Sequence, residues 1–154
     1  MNLTLTTTAE RLVTDGPALE QEAERLARSV PPGYALPGAG RRYIRLDVGA
    51  LAAHVDAWLI AWPAGTGLPM HDHDGSSAVL HIVRSALHER YVEGGRIVKR
   101  VLAAGDRVHL APDHVHEVVN VSGQEALSIH VYSPRLTMVR FRSEFAEWRP
   151  AVAS

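Results

Sequence analysis

The sequence predicts an all-β fold, an antiparallel β-barrel or jelly roll preceded by a single helix. Three observations lead there. Between positions 16 and 30 the apolar residues fall on one helical stripe. From position 43 onward the chain breaks instead into short runs of Val, Ile, Leu and aromatic residues. Glycines at 65, 67, 75, 94, 95, 105 and 123 separate those runs. They recur roughly every ten residues, the cadence of a sandwich or barrel.

In chain order, Leu19, Ala23, Leu26, Ala27 and Val30 mark the buried side of the helix, at the spacing a period of about 3.6 residues requires. Pro17 suits the first helical turn, with Asp15 or Gly16 as its cap, and Pro31-Pro32-Gly33 stops it. A Pro/Gly-rich connector runs from Gly33 to Gly40. The strand-like runs are Tyr43–Val48, His54–Trp62, Ser77–Arg84, Leu87–Val92, Ile97–Leu102, Arg107–Leu110, His116–Val121, Leu127–Tyr132 and Thr137–Phe141. Gly94-Gly95 predicts a tight hairpin between two of them. With no linker, repeat or low-complexity stretch, residues 1–154 are expected to form one domain, helical over about 16–30 and barrel over about 41–142.

Hydrophobic residues make up 46% and charged residues 21%, enough apolar material for a core without cross-links. Sixteen basic against seventeen acidic residues give a net charge of -1, so no strong field draws the chain to nucleic acid or an anionic membrane. No apolar stretch approaches the roughly 18 residues of a membrane span. The segment MNLTLTTTAERL has neither a charged leader nor an apolar run, and cysteine is absent. Together these predict a cytoplasmic protein without disulfides or thiolate metal sites. A monomer or small homo-oligomer is expected.

Histidine is the anomaly. Nine occur, eight of them between positions 71 and 130. In Met70-His71-Asp72-His73-Asp74 the two histidines are two apart, so on a strand both rings face one side and can reach one metal ion. Ala111-Pro112-Asp113-His114-Val115-His116 offers one or two more imidazoles. Ser128, His130 and Tyr132 alternate with Ile129 and Val131, so the three polar groups share a face. His81 falls out of phase with Ala78, Leu80 and Ile82 and is expected outside the barrel. His54, His88 and His109 read as surface or structural residues, and Trp58 and Trp62 as core. A lone His-x-His is more often a surface pair than a ligand pair, but here a frame surrounds it. Gly65 lies six residues before His71, Gly105 eleven before His116, and Asn120 four after His116.

These two glycine-led segments resemble the paired motifs of cupins. Within cupins the chain is similar to the thiol dioxygenases, specifically to bacterial members of the cysteine dioxygenase type I family. The resemblance is carried by His71-Asp72-His73, by His116-Glu117-Val118-Val119-Asn120 and by Ser128-Ile129-His130-Val131-Tyr132-Ser133-Pro134, and runs from about residue 41 to 136. It implies a cupin jelly-roll β-barrel and a mononuclear iron(II) enzyme, Fe(2+) being its cofactor, that oxidises L-cysteine with O2 to cysteine sulfinic acid. His71, His73 and His116 match the family's iron ligands. His114 is a competing third ligand, and Val118, Val119 and Asn120 favour His116 over it. Ordinary cupins add a glutamate five residues after the second histidine, where this chain has Ala78. Three neutral imidazoles leave the metal its full double charge and several open positions. Ala78 also replaces the cysteine that vertebrate members cross-link to the active-site tyrosine, a link the bacterial branch does without.

Ser128, His130 and Tyr132 match the family's relay, in which the serine fixes the imidazole tautomer and the imidazole holds the phenol over the iron. The alternative is three inward polar groups satisfying one another. Tyr43-Ile44-Arg45 resembles the family's substrate strand, making Arg45 the expected carboxylate clamp, because a guanidinium forks onto a carboxylate as lysine cannot. Related 3-mercaptopropionate dioxygenases generally carry glutamine there and an arginine elsewhere. Arg45 therefore favours an amino-acid thiol, while Arg140 and Arg142 keep the other small thiols open. A non-catalytic metal- or ligand-binding cupin is the reading from another class, and it has no need of the relay.

Overall fold

The computed structural model describes residues 16–148. Helix α1 (Gly16–Ser29) turns Leu19, Ala23 and Leu26 inward, carries Pro17 in its first turn and ends just before Pro31-Pro32. Asp15, the other candidate cap, lies outside the described residues. The strands are β1 (Arg42–Arg45), β2 (Asp56–Trp62), β3 (Gly67–Asp72), β4 (Ser77–Arg84), β5 (Ala86–Glu93), β6 (Arg96–Ala103), β7 (Arg107–Leu110), β8 (His116–Val119), β9 (Ala126–Ser133) and β10 (Arg140–Phe141). They form two antiparallel sheets, ordered β1-β2-β9-β4-β7 and β10-β3-β8-β5-β6. The all-β architecture behind one N-terminal helix is the one the sequence predicts.

Differences from the expected boundaries have local causes. The run Tyr43–Val48 stops as a strand at Arg45, because Asp47 turns the chain. Its Oδ1 accepts the Gly49 N–H at 2.8 Å and leads into the 3-10 helix Gly49–Ala53. Thr137–Phe141 shrinks to Arg140–Phe141, since Leu136 and Val139 turn into the barrel cavity instead of extending a ladder. Strand β3 was hidden from the apolar pattern by Gly67, Pro69, His71 and Asp72. The hairpin holds: Glu93 faces Arg96, and Gly94 and Gly95 turn with φ of 55° and 73°, the left-handed pair a two-residue type I′ turn needs.

Strand β9 lies in the middle of its sheet and all eight of its residues are buried. Its two faces do different things. Leu127, Ile129 and Val131 join Ala57, Leu59, Ala61 and Val79 beneath Leu19, Ala23 and Leu26 of the helix. Ser128, His130 and Tyr132 occupy the inner face. There Trp62, Ile82, Leu87, Leu102, Val118 and Ala126 fill the barrel between the sheets. A helix of 14 residues is marginal alone in water, so α1 depends on this packing. Among the described residues no helix is long and apolar enough to cross a membrane.

Leu26 is 3% exposed within the cluster that joins helix to sheet. Leu26→Ala is therefore expected to cost about 2–4 kcal/mol, read as a lower urea midpoint with an unchanged slope. A midpoint equal to wild type would show that the helix does not support the barrel.

Candidate metal centre

The pairing of β3 with β8 builds the site. Gly67 faces Val119, Leu68 faces Val118 and His71 faces His116, so β3 carries one extra residue between the last two pairs. This bulge falls where Pro69 has no N–H to give the ladder. Gly67 allows the close approach of the strands, since a Cβ there would lie 2.6 Å from the Val118 carbonyl oxygen. As a result His71 and His116 have ring centroids 4.6 Å apart, and His73, just beyond the strand end, lies 5.0 and 5.1 Å from them. One nitrogen from each ring falls within 4.8 Å of the others. All three side chains are buried.

The rings are aimed by their other nitrogens. His71 Nδ1 donates to the Pro69 carbonyl at 2.7 Å, the carbonyl freed by the bulge. His116 Nδ1 lies 2.7 Å from Glu89 Oε1. Both therefore present Nε2 to the cluster. His73 Nδ1 is buried with no hydrogen-bond partner, an orphaned atom of the kind that a bound ion explains. Burial, reinforced by neighbouring imidazoles, pushes His71 and His73 down to about 3. Burial also holds His116 at about 4, against the opposing pull of Glu89. Three neutral lone pairs converge, which suits a divalent transition metal and not Mg²⁺ or Ca²⁺.

His114 is drawn elsewhere. Its Nε2 lies 2.9 Å from Glu89 Oε1. Burial alone would raise the Glu89 carboxyl, yet hydrogen bonds from His114, His116 and Arg100 hold it far below the usual carboxylate range. Asn120 is structural: its fully buried amide donates to the Trp62 and Gln124 carbonyls, each at 2.7 Å. His81 is half-buried on the outer side of β4, while His54, His88 and His109 are exposed.

Opposite the imidazoles stands the inner face of β9. Trp62 Nε1 donates to Ser128 Oγ at 2.8 Å, Ser128 Oγ lies 2.9 Å from His130 Nε2, and His130 Nδ1 lies 3.2 Å from the Tyr132 hydroxyl. An indole can only donate. Ser128 Oγ thus accepts from the indole and keeps its own hydroxyl proton to give to His130 Nε2. In that arrangement the imidazole carries its proton on Nδ1, toward the Tyr132 oxygen 3.2 Å away, and the phenol proton is left for another acceptor. Burial lowers His130 well below 6.5 and raises Tyr132 above 10, so both stay neutral. The His73 and Tyr132 ring centroids are 5.3 Å apart. Ala78 faces Tyr132 across the strands, and its small side chain leaves the phenol room that a glutamate would take.

A cavity of about 230 Å³ opens among these groups. His71, His116, His130 and Tyr132 line one side, and Trp58, Ile60, Trp62, Leu68, Val118, Leu136 and Val139 supply apolar walls. Trp62 is core as expected, at 1% exposure, and also borders the cavity, whereas Trp58, expected as core, is half-buried and is corrected to a cavity residue. Arg41 and Tyr43 complete the lining.

Arg45 does not reach this cavity. It lies over the Trp58 ring, 4.9 Å from its centre, and pairs with Asp56 at 3.3 Å, more than half exposed. Arg140 and Arg142, the other clamp candidates, each reach the buried Asp72 at 3.0 Å. Burial would raise the Asp72 carboxyl, but the Asp74 N–H and these two guanidiniums hold it at about 2. Arg41 differs from all of them. Its guanidinium lies 5.3 Å from the Trp62 ring centre, it acts electrostatically on His71, His130 and Tyr132, and no carboxylate partner occurs among the described residues. Sequence reasoning missed Arg41, Trp62 and Glu89. Each had a signal: Arg41 shares the strand phase of Tyr43, Trp62 faces Ser128's strand in phase with Ile60, and Glu89 is an acid in an apolar phase between Leu87 and Tyr91.

Two sheets around buried inward histidines define a cupin jelly roll, and solved structures of that fold are similar to the chain. Oxalate oxidase is 20% identical with a TM-score of 0.58, covering 66% of this chain and 55% of that one. TT1209 from Thermus thermophilus is 25% identical with a TM-score of 0.54, covering 73% and 93%. KdgF from Halomonas sp. is 21% identical with a TM-score of 0.53, covering 62% and 80%. The chain spans about half the length of the oxalate oxidase chain it matches. No curated protein matches it. The chain belongs to the cysteine dioxygenase type I family, whose model matches residues 34–144.

The three cluster histidines make the metal-free fold sensitive to acid. Their folded values of about 3 to 4 lie below the ordinary 6.5, so the unfolded chain binds protons first as pH falls. Stability is complete above 6.5 and declines towards pH 4, by up to about 1.4 kcal/mol per pH unit for each ring. Thermal melts of the metal-free protein at pH 7 and pH 5 should show a lower Tm at pH 5. Equal values would mean that the rings are not held neutral.

Proposed function

We propose that the protein is a mononuclear non-haem iron(II) thiol dioxygenase that converts L-cysteine and O2 to cysteine sulfinic acid. One observation supports this above the others: three buried imidazoles cluster with no carboxylate among them, and two of them, His71 and His116, line a cavity together with the Tyr132 phenol. Membership of the cysteine dioxygenase type I family supports it too. His71, His73 and His116 are the residues that would hold iron(II). Bound there, the ion supplies open positions and one-electron chemistry for bringing a thiolate and dioxygen together.

The chain's own residues supply the rest. Burial keeps Tyr132 protonated, so it can hydrogen-bond to charge developing on sulfur or oxygen. Trp62, Ser128 and His130 hold that proton in its direction. Trp58, Leu68 and Val118 keep bulk water from the reacting groups. A thiol plus O2 gives a sulfinic acid with no atom left over, and the thiol provides all four electrons. A reducing cytoplasm, where small thiols remain unpaired, is the compartment this activity needs.

We assign the carboxylate anchor to Arg41 instead of Arg45, because Arg41 lines the cavity with no carboxylate partner among the described residues while Arg45 is held by Asp56. The walls also favour a second reading, 3-mercaptopropionate or another small thiol. Among the described residues, no acidic side chain lines the cavity to face a substrate ammonium.

The direct test is dioxygen uptake by the iron-loaded protein with cysteine, 3-mercaptopropionate and cysteamine. One O2 should disappear per thiol without an added reductant, and labelled dioxygen should place both atoms on sulfur. A single labelled atom, or no uptake with any thiol, rejects the dioxygenase reading. A two-pronged charged contact is worth about 1.5–3 kcal/mol, so Arg41→Ala should lower kcat/KM for carboxylated thiols by roughly one to two orders of magnitude. Cysteamine use should change far less, and Arg41→Lys should recover only part. Should Arg45→Ala produce that selective loss instead, the anchor is Arg45.

A further inference from the structure

We propose that Glu89 is a positioning residue of the metal centre, fixing the tautomer and aim of His116 from behind, with His114 and Arg100 holding Glu89 in turn; this rests on His71, His73 and His116 being the metal ligands. Glu89 is fully buried on β5, in phase with the core residue Leu87. A lone carboxylate there would be strongly disfavoured. It has three partners. Arg100, directly opposite on β6, donates its Nε–H to Oε2. His114 Nε2 and His116 Nδ1 both approach Oε1, at 2.9 and 2.7 Å. A carboxylate only accepts, so each ring carries its proton on the nitrogen facing Glu89. His116 keeps its Nε2 lone pair for the cluster. The carboxylate also draws on the Nδ1 proton, which makes the imidazole a stronger donor.

Glu89, His114 and His116 lie close enough to be ligands of an ion of their own. Two features favour hydrogen bonding instead. Both contacts have hydrogen-bond length, and Arg100 already places a full cation on the carboxylate. His114 is also fixed in place as a donor. Tyr91 stacks on it with ring centroids 5.3 Å apart, and Arg100 lies 4.5 Å from the Tyr91 ring centre.

Metal affinity of the full chain tests this, by chelator competition with Fe(II) under anaerobic conditions and with Co(II) as a paramagnetic probe. Glu89→Gln preserves volume and removes charge, and should weaken binding about ten-fold. Glu89→Ala leaves His116 Nδ1 with no acceptor, and should weaken it about a hundred-fold. In the Co(II)-loaded wild type the His116 Nδ1 proton should give a strongly shifted, slowly exchanging NMR signal that disappears in Glu89→Ala. Arg100→Met, which leaves the carboxylate and both imidazoles present, should weaken binding by a smaller factor. Should Glu89→Ala not fold, Glu89→Gln and Arg100→Met decide. Variants that bind both ions as tightly as wild type overturn the proposal, as does uptake of two ions per wild-type chain. If His71→Ala binds metal like wild type, the assignment of the centre itself fails, and the role of Glu89 with it.

Discussion

Three imidazoles without a carboxylate among them stay neutral and aimed at one point when they are shielded from water and their outer nitrogens are held, as those of His71 and His116 are. The pairing of β3 with β8 provides most of this. It sets His71 opposite His116, and the bulge it contains frees the Pro69 carbonyl that takes the His71 proton. From the far side of β8, strand β5 brings the acceptor for His116. The same pairing sets Leu68 against Val118, two walls of the cavity. Ligand geometry and water exclusion therefore depend on one register.

The two sheets divide the chemistry. One carries the nitrogen donors, while the other carries a chain of neutral hydrogen-bonding groups ending at Tyr132. Their separation is held by close packing of Trp62, Ile82 and Ala126 from one sheet against Leu87, Leu102 and Val118 from the other. The helix never approaches the imidazoles. By covering Leu127, Ile129 and Val131 it makes the outer face of β9 dry, and the inner face of that strand becomes a fixed platform for the relay.

Much of this was legible in the chain. Ser77–Arg84 and Arg107–Leu110 have the expected boundaries because glycines and polar residues bracket clean β-branched runs. His71, His73 and His116 were visible because ligand chemistry restricts residue type. The alternation in β9 showed which side Tyr132 would face. What stayed hidden depended on partners distant in sequence. Arg45 and Arg41 share a strand phase, and only the position of Asp56 explains why one is captured and the other is not. Trp62 is apolar enough to pass for core, and its N–H matters only because β9 places Ser128 beside it. Glu89 stood out as an acid in an apolar phase, but its role was hidden because its partners come from β6, from β8 and from the segment before β8.

Asp72 sits between two of the cluster histidines but is tied to Arg140 and Arg142, and so secures β10 along the edge of β3. The segment leading into β10 contributes Leu136 and Val139 to the cavity. Reactivity and selectivity thus hang on alternate residues of one strand. The segment that shapes the cavity is fastened by ion pairs near the surface, and its apolar side chains touch none of the hydrogen bonds that aim the histidines. Such an arrangement is modular in the evolutionary sense: a gene copy could exchange the residues at 136 and 139 and so change which molecules the cavity admits, while the histidine cluster was inherited intact.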